Sequence, residues 1–372
     1  MKVNREYQSL ILTAPELSTL RKHIGETRNL ISIPMTDLPA LESRSDIISS
    51  WNAILPEQQL IYQKALLALN EPLQTASFAY TISEQRLYRA SLAWLATDPQ
   101  LVATLDQQEN ELNLAVRSSR DLQQLMTEVL AIDDSLLPAN INVGVSSAAM
   151  FVLLSAFEGF YETYYQSLLS HSVPQPTFSL EEIITRLQNS NHGDFRWPMG
   201  LFVSVLPQSA WIVSKEEAIQ AIGELEEAGW LLRLDDDDDE SKIPLFMLSG
   251  LGENIANSFL HHISVCVLCL TRLREDGKPG QEAFLLIRDP SFLWLVDISG
   301  KESLIANMTL QEWNIFSTRI LMPGEDLPIA VQTAIVSETP RKVTCPSCKA
   351  EIPSGKAFCI KCGASLVTRK EL

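Results

Sequence analysis

The sequence predicts an α+β protein. Two pseudo-repeated halves each run helices and then an antiparallel meander, the second half contains a winged-helix-like segment, and a zinc ribbon closes the chain. Three observations carry this. Residues 97–130 align without a gap on residues 288–321. In both segments apolar runs with β-branched and aromatic residues alternate with polar turns, the pattern of short strands. Two Cys-x-x-Cys pairs lie within the last thirty residues.

In chain order, Thr13 followed by Pro15 and Glu16 starts a helix that Gly25 ends, because a hydroxyl before a Pro–Glu first turn satisfies free backbone N–H groups. The runs LQTASFAYTIS, LYRASLAWLATDP and LNLAV then read as strands. A Ser and a following acid after LNLAV start an amphipathic helix. Residues 143–170 form an apolar helix expected to pack between the halves. Residues 213–233 form a second capped helix, from Ser214 to Gly229. The order helix, WLLRL, loop, IPLFMLS, helix over 213–260 is that of a winged helix. ISVCVLCLTRL, EAFLLIRDP and SLIAN repeat the meander. The alignment superposes Asp98 on Asp289, Pro99 on Pro290, Asp106 on Asp297, Glu111 on Glu302, Ala115 on Ala306, Thr127 on Thr318 and Leu130 on Leu321. The organisation is therefore a first repeat (1–134), a connecting helical region (135–174), a second repeat (175–330), a linker (331–343) and the ribbon (344–367).

Cys345, Cys348, Cys359 and Cys362 are the expected ligands of one structural zinc ion. Each pair forms a knuckle presenting two thiolates, and Pro353-Ser354-Gly355 turns the second knuckle back beside the first. Four thiolates close a tetrahedron and leave no place for a catalytic water. Lys349 and Lys361 offset its charge. So short a segment needs the metal to fold. It resembles the double-zinc-ribbon type of module found at the ends of many bacterial proteins. Cys266 and Cys269 also read Cys-x-x-Cys, after His261 and His262, but within a run that reads as a strand. Residues three apart on a strand point to opposite faces, so this pair belongs to the core.

The net charge is −17, and the seven Lys and Arg against two acids from Arg341 onward leave the body at about −22. Such a body repels phosphate, which argues against nucleic acid bound through it and against an anionic membrane surface. No apolar run is long enough to span a bilayer, and none reads as a signal peptide. The expectation is a cytoplasmic protein without membrane insertion. Asp235 to Glu240 is an unbroken acidic run in the position of the wing. It reads as a solvated hairpin tip, with a divalent-ion site or a dock for a basic partner as the other readings. The 213–233 helix carries five Glu against one Lys, so this winged helix suits a protein contact.

No nucleophile elbow, P-loop, zinc-protease or dinucleotide-binding pattern occurs. His23, His171, His192, His261 and His262 are scattered, and Asp98 and Asp289 precede prolines as turn residues. The chain is read as no enzyme. Phe157, Phe160, Tyr161, Tyr164 and Tyr165 gather on one helix, either as a partner surface or as core.

The twofold run of helices, strands, Asp-Pro turn, strand and Ser/Thr-capped helix over residues 8–325 resembles in layout the EspG family, the cytosolic chaperones of type VII secretion. The resemblance implies binding of helical secreted proteins before export. The ribbon and the long 143–260 segment depart from the family. Three functions follow: a non-enzymatic protein-binding or chaperone-like adaptor; a zinc-ribbon regulator touching nucleic acid or transcription machinery through Arg341, Lys342, Lys349, Lys356, Lys361, Arg369 and Lys370; and an enzyme with a composite site.

Overall fold

A computed structural model describes residues 1–4, 9–25, 29–33, 44–82, 86–108, 111–138, 141–173, 176–189, 197–206, 212–234, 244–299, 302–323, 342–344 and 347–353. The elements of the first part are β1 (Lys2–Asn4), β2 (Ser9–Leu12), α1 (Ala14–Ile24), α2 (Arg44–Asn52), α3 (Pro56–Asn70), β3 (Pro72–Ile82), β4 (Arg86–Leu95), β5 (Asp98–Gln108), β6 (Glu111–Ser118) and α4 (Ser119–Val129). A middle group follows: β7 (Asn142–Ser146), α5 (Ser147–Ser170), β8 (Thr177–Ser179), α6 (Leu180–Asn189), α7 (Pro198–Val203), α8 (Lys215–Glu227), β9 (Leu231–Leu234), β10 (Leu245–Leu248) and α9 (Gly250–Leu260). The last are β11 (Ser264–Leu273), β12 (Pro279–Arg288), β13 (Leu293–Asp297), β14 (Glu302–Met308), α10 (Leu310–Leu321), β15 (Lys342–Thr344) and β16 (Glu351–Pro353). Mixed helices and antiparallel sheet make this an α+β protein.

Eleven strands form one sheet in the order β1-β2-β6-β5-β4-β3-β11-β12-β13-β14-β7. The middle pair is antiparallel and in register from Ser264 opposite Ile82 to Arg272 opposite Gln74. From that seam the strands β3 to β6 run outward one way and β11 to β14 the other, each series ending in a helix, α4 or α10.

Alternation sets the two faces. Ala76, Phe78, Leu92, Trp94, Cys266, Leu268, Phe284 and Leu286 point to one side and are buried under α4 and α10. The two helices meet there. Gln123 Nε2 donates to Ser317 Oγ at 2.7 Å, and Trp313 Nε1 donates to Thr127 Oγ1 at 3.0 Å. Both helices open on capping boxes, Ser118 with Asp121 and Thr309 with Glu312. The opposite face is covered in two separate pieces. At one end α1 to α3 bury Leu10, Ala93, Ala103 and Leu114. At the other, α5 to α9 bury Val265, Val267, Leu285 and Ile287.

The capped helices expected at Thr13 and Ser214 are present, each with a capping box. Past α8, Gly229 takes a left-handed φ of 76°, and the N–H groups of Gly229 and Trp230 return to Glu226 and Leu225. That is the glycine-terminated turn its position implies. The apolar helix expected from Val143 begins instead at Ser147. Residues Asn142–Ser146 pair with β14 as the edge strand β7, and Ser146 caps α5. Nor does α5 pack between the halves. Its contacts are with α6, α7, α8, α9 and the neighbouring strands β7, β8 and β14. Phe151, Leu153, Leu154 and Phe157 are all buried, so the first half of α5 is covered on every side, as a segment without a polar face requires.

Candidate functional site: a polar trench across the sheet

Between the two helical pieces the described residues leave the sheet face open. Its floor follows from sequence. At consecutive odd positions of β3 stand the hydroxyl residues Thr75 and Ser77. Ser77 lies opposite Ser91 of β4 and Cys269 of β11, and Ser91 lies opposite Leu105 of β5. In the next row Thr75 faces Thr271, which faces Gln281 of β12. Burying hydroxyl and amide groups beneath an apolar helix without hydrogen bonds would cost about 1–3 kcal/mol each. Left open they stay hydrated, and Ser77 is exposed in the middle of an eleven-stranded sheet. The resulting trench has a volume of about 600 Å³. Leu30, Ile31 and Ile33, after α1, form one wall. Val205 and Leu206, after α7, form the other.

The described residues lining the trench include no histidine, lysine or carboxylate beside its hydroxyls and thiol. Cys269 sits in its floor, but burial pushes its thiol up to about 11, so the thiolate is scarce at neutral pH. Cys266, on the opposite face, is fully buried and raised further for the same reason. The expectation that these two cysteines diverge into the core therefore holds. His261 and His262 each donate Nδ1–H to a carbonyl, of Asn257 and Phe259, at 2.8 Å. Of the aromatic residues on α5, Phe157, Phe160 and Tyr161 are core. Tyr161 stacks on Trp197 at 5.9 Å, and burial raises its phenol well above the ordinary range. Tyr165 alone of the five is exposed, beside Leu168 and Leu169.

Among the expected zinc ligands, Cys345, Cys359 and Cys362 lie outside the described residues, as do His192, Lys361 and the Asp235–Glu240 run. Cys348 is exposed in the turn between β15 and β16, which pair antiparallel with Val343 opposite Ile352. Lys349, immediately after it, has a φ of 64°, in the left-handed region. Among the described residues no three His, Cys, Asp or Glu side chains gather into a metal-binding group, and no helix is long and apolar enough to cross a membrane.

No family model and no curated protein matches this chain. Among solved structures, it is similar to a chain in the complex of the Mycobacterium tuberculosis type VII secretion system chaperone EspG5 with the PE25–PPE41 dimer. The TM-score is 0.38 and the identity 12%, with 86% of this chain and 98% of that chain covered. At that level the likeness assigns no residue a role.

Reasoning from the sequence missed the trench. The signal was present in the Thr, Ser and Ser at 75, 77 and 91, but alternation alone does not say which part of a sheet face helices will cover.

Proposed function

We propose that this protein is a non-enzymatic, chaperone-like adaptor that docks a segment of another protein in the central trench. The observation that carries the reading is the exposed hydroxyl floor at Ser77, flanked by apolar walls, where the described helices leave the sheet open. A docked segment can contact walls and floor together, which suits a peptide more than a compact metabolite. The layout resemblance adds that clients are helical secreted proteins met in the cytoplasm.

The same reading treats 1–134 and 175–330 as repeats joined through 135–174. It treats 213–260, with α8, β9, β10 and α9, as a winged-helix-like unit, whose strands β9 and β10 share a small sheet with β8 in the order β8-β10-β9. Glu216, Gln220 and Glu227 on the outer side of α8 suit protein contact rather than phosphate. For the tail we propose one structural zinc held by Cys345, Cys348, Cys359 and Cys362. The hairpin turn at Cys348 and the left-handed residue after it fit a metal knuckle, and Gly363 follows the second pair at the same offset. Metal analysis of the intact chain should return one zinc, and less for Cys348→Ser.

The adaptor reading is tested by filling the trench. Proteins recovered from the native host by the wild-type chain are purified and titrated against wild type and Ser77→Trp. Binding weakened at least tenfold by Ser77→Trp, with unchanged thermal stability, supports it. Clients that bind both proteins equally place the docking surface elsewhere.

A further inference from the structure

The described residues lining the trench include one cation, Arg89, and no carboxylate. That is unusual for a chain with 46 Asp and Glu against 29 Lys and Arg. Three other arginines are ion-paired. Arg186 meets Glu162 at 3.1 Å, Arg233 meets Glu226 at 3.0 Å, and Arg272 lies 3.7 Å from Glu282. Arg89 is exposed, and among the described residues it has no hydrogen-bond or ion-pair partner. It shares the trench-facing side of β4 with Ser91, and Gln107 of β5 also lines the site.

We propose that Arg89 is the specificity-determining residue of the trench, pairing with an aspartate or glutamate side chain of the docked protein segment. This rests on the trench being the docking surface. A guanidinium offers a planar fork of donors that matches a carboxylate in two parallel hydrogen bonds. Ser91 and Gln107 supply neutral donors beside it. The absence of acid among the described lining residues matters because the rest of the chain is strongly acidic. Exposed charges more than about 8 Å away are largely screened at physiological salt, whereas a contact pair beneath a docked segment is not. A carboxylate is therefore disfavoured over most of the surface and favoured at Arg89. That is selection by position as well as by sign.

The test uses the full chain and blocked peptides of alanine, leucine and serine that differ in one central residue: glutamate, glutamine or lysine. Affinities are measured by fluorescence anisotropy for wild type, Arg89→Gln, Arg89→Lys, Arg89→Glu and Ser77→Trp, after matched thermal melts. The expectation is that wild type prefers the glutamate peptide over the glutamine peptide by about tenfold, the scale of a charged hydrogen bond. Arg89→Gln should abolish the preference without weakening the glutamine peptide, Arg89→Lys should keep part of it, and Arg89→Glu should favour lysine. If glutamate and glutamine peptides bind wild type equally and Ser77→Trp removes both, the trench is a docking site but Arg89 does not select its occupant. If no peptide binds, or Ser77→Trp leaves binding intact, both this inference and the trench reading are overturned.

Discussion

At the start of β5, Asp98 of the first Asp-Pro pair lies on the surface, 3.7 Å from Lys64, with both side chains more than 40% exposed. After β12, Asp289 of the second pair is 3% exposed and accepts three hydrogen bonds. These come from the backbone N–H groups of Ser291 and Phe292, both at 2.7 Å, and from Trp294 Nε1 at 2.9 Å. The two dipeptides occupy matched places in the two series of strands. Only the second is a turn in which the carboxylate closes the following backbone. The first turn falls at 96–97, so Asp98 is already a strand residue. The difference lies in what surrounds them. Trp294 brings an indole donor within reach of Asp289, and Phe292 packs on Trp294 at 5.7 Å. The same Asp-Pro dipeptide thus gives a solvated ion pair at the start of β5 and a core polar anchor after β12.

The largest expected break in this comparison is Asp289→Ala. It leaves three donors without their acceptor, two of them backbone, and should cost about 3 kcal/mol. Asp98→Ala removes an exposed pair and should cost under about 0.5 kcal/mol. Urea unfolding of both variants checks the ratio, and equal losses would refute the assignment of Asp289 as an anchor. A smaller effect is expected for Trp294→Phe, which keeps most of the packing but deprives Asp289 of one partner. A loss of about 1–2 kcal/mol by the same assay is expected, and adding Asp289→Ala to it should cost less than the sum of the two, because the residues share a bond.

A small effect is also expected at the capping box that opens α4. Hydrogen bonds from the Ser118 side chain and backbone hold the Asp121 carboxyl below the ordinary aspartate range. A lowered folded pKa means the stabilisation is complete above the unfolded value and disappears as pH falls through the folded one. Asp121→Asn should therefore cost about 0.5 kcal/mol near pH 7, allowing for its exposure. The gap between variant and wild type should close in acid. Thermal melts from neutral pH downward follow it, and a gap that persists at the lowest pH would show that the charge is not what Ser118 recognises.

These cases also show what could be read in advance. Helix starts at Thr13, Ser118, Ser214 and Thr309 were legible, because a cap is settled by residues three apart in the chain. The left-handed Gly229 was legible for the same reason. The edge strand Asn142–Ser146 was not. Its residues look like the apolar helix they precede, and only a vacant neighbour, β14, turns them into a strand. The aromatic cluster on α5 read equally well as surface or core until α6 to α9 were seen packed around it.

By itself the sequence determined the local elements, their order, the divergence of Cys266 and Cys269, and the acidic body with its basic tail. Each of these depends on neighbours in the chain or on a sum over composition. Only the tertiary structure decided that the two series of strands join at β3 and β11 into one sheet. Only it decided that helices cover one face in two pieces, and that Ser77, Ser91 and Arg89 lie together in the gap between them. Strand alternation gives every residue a side. Whether that side meets a helix or water depends on elements far away in the chain, from Leu30 to Leu206 for the trench alone.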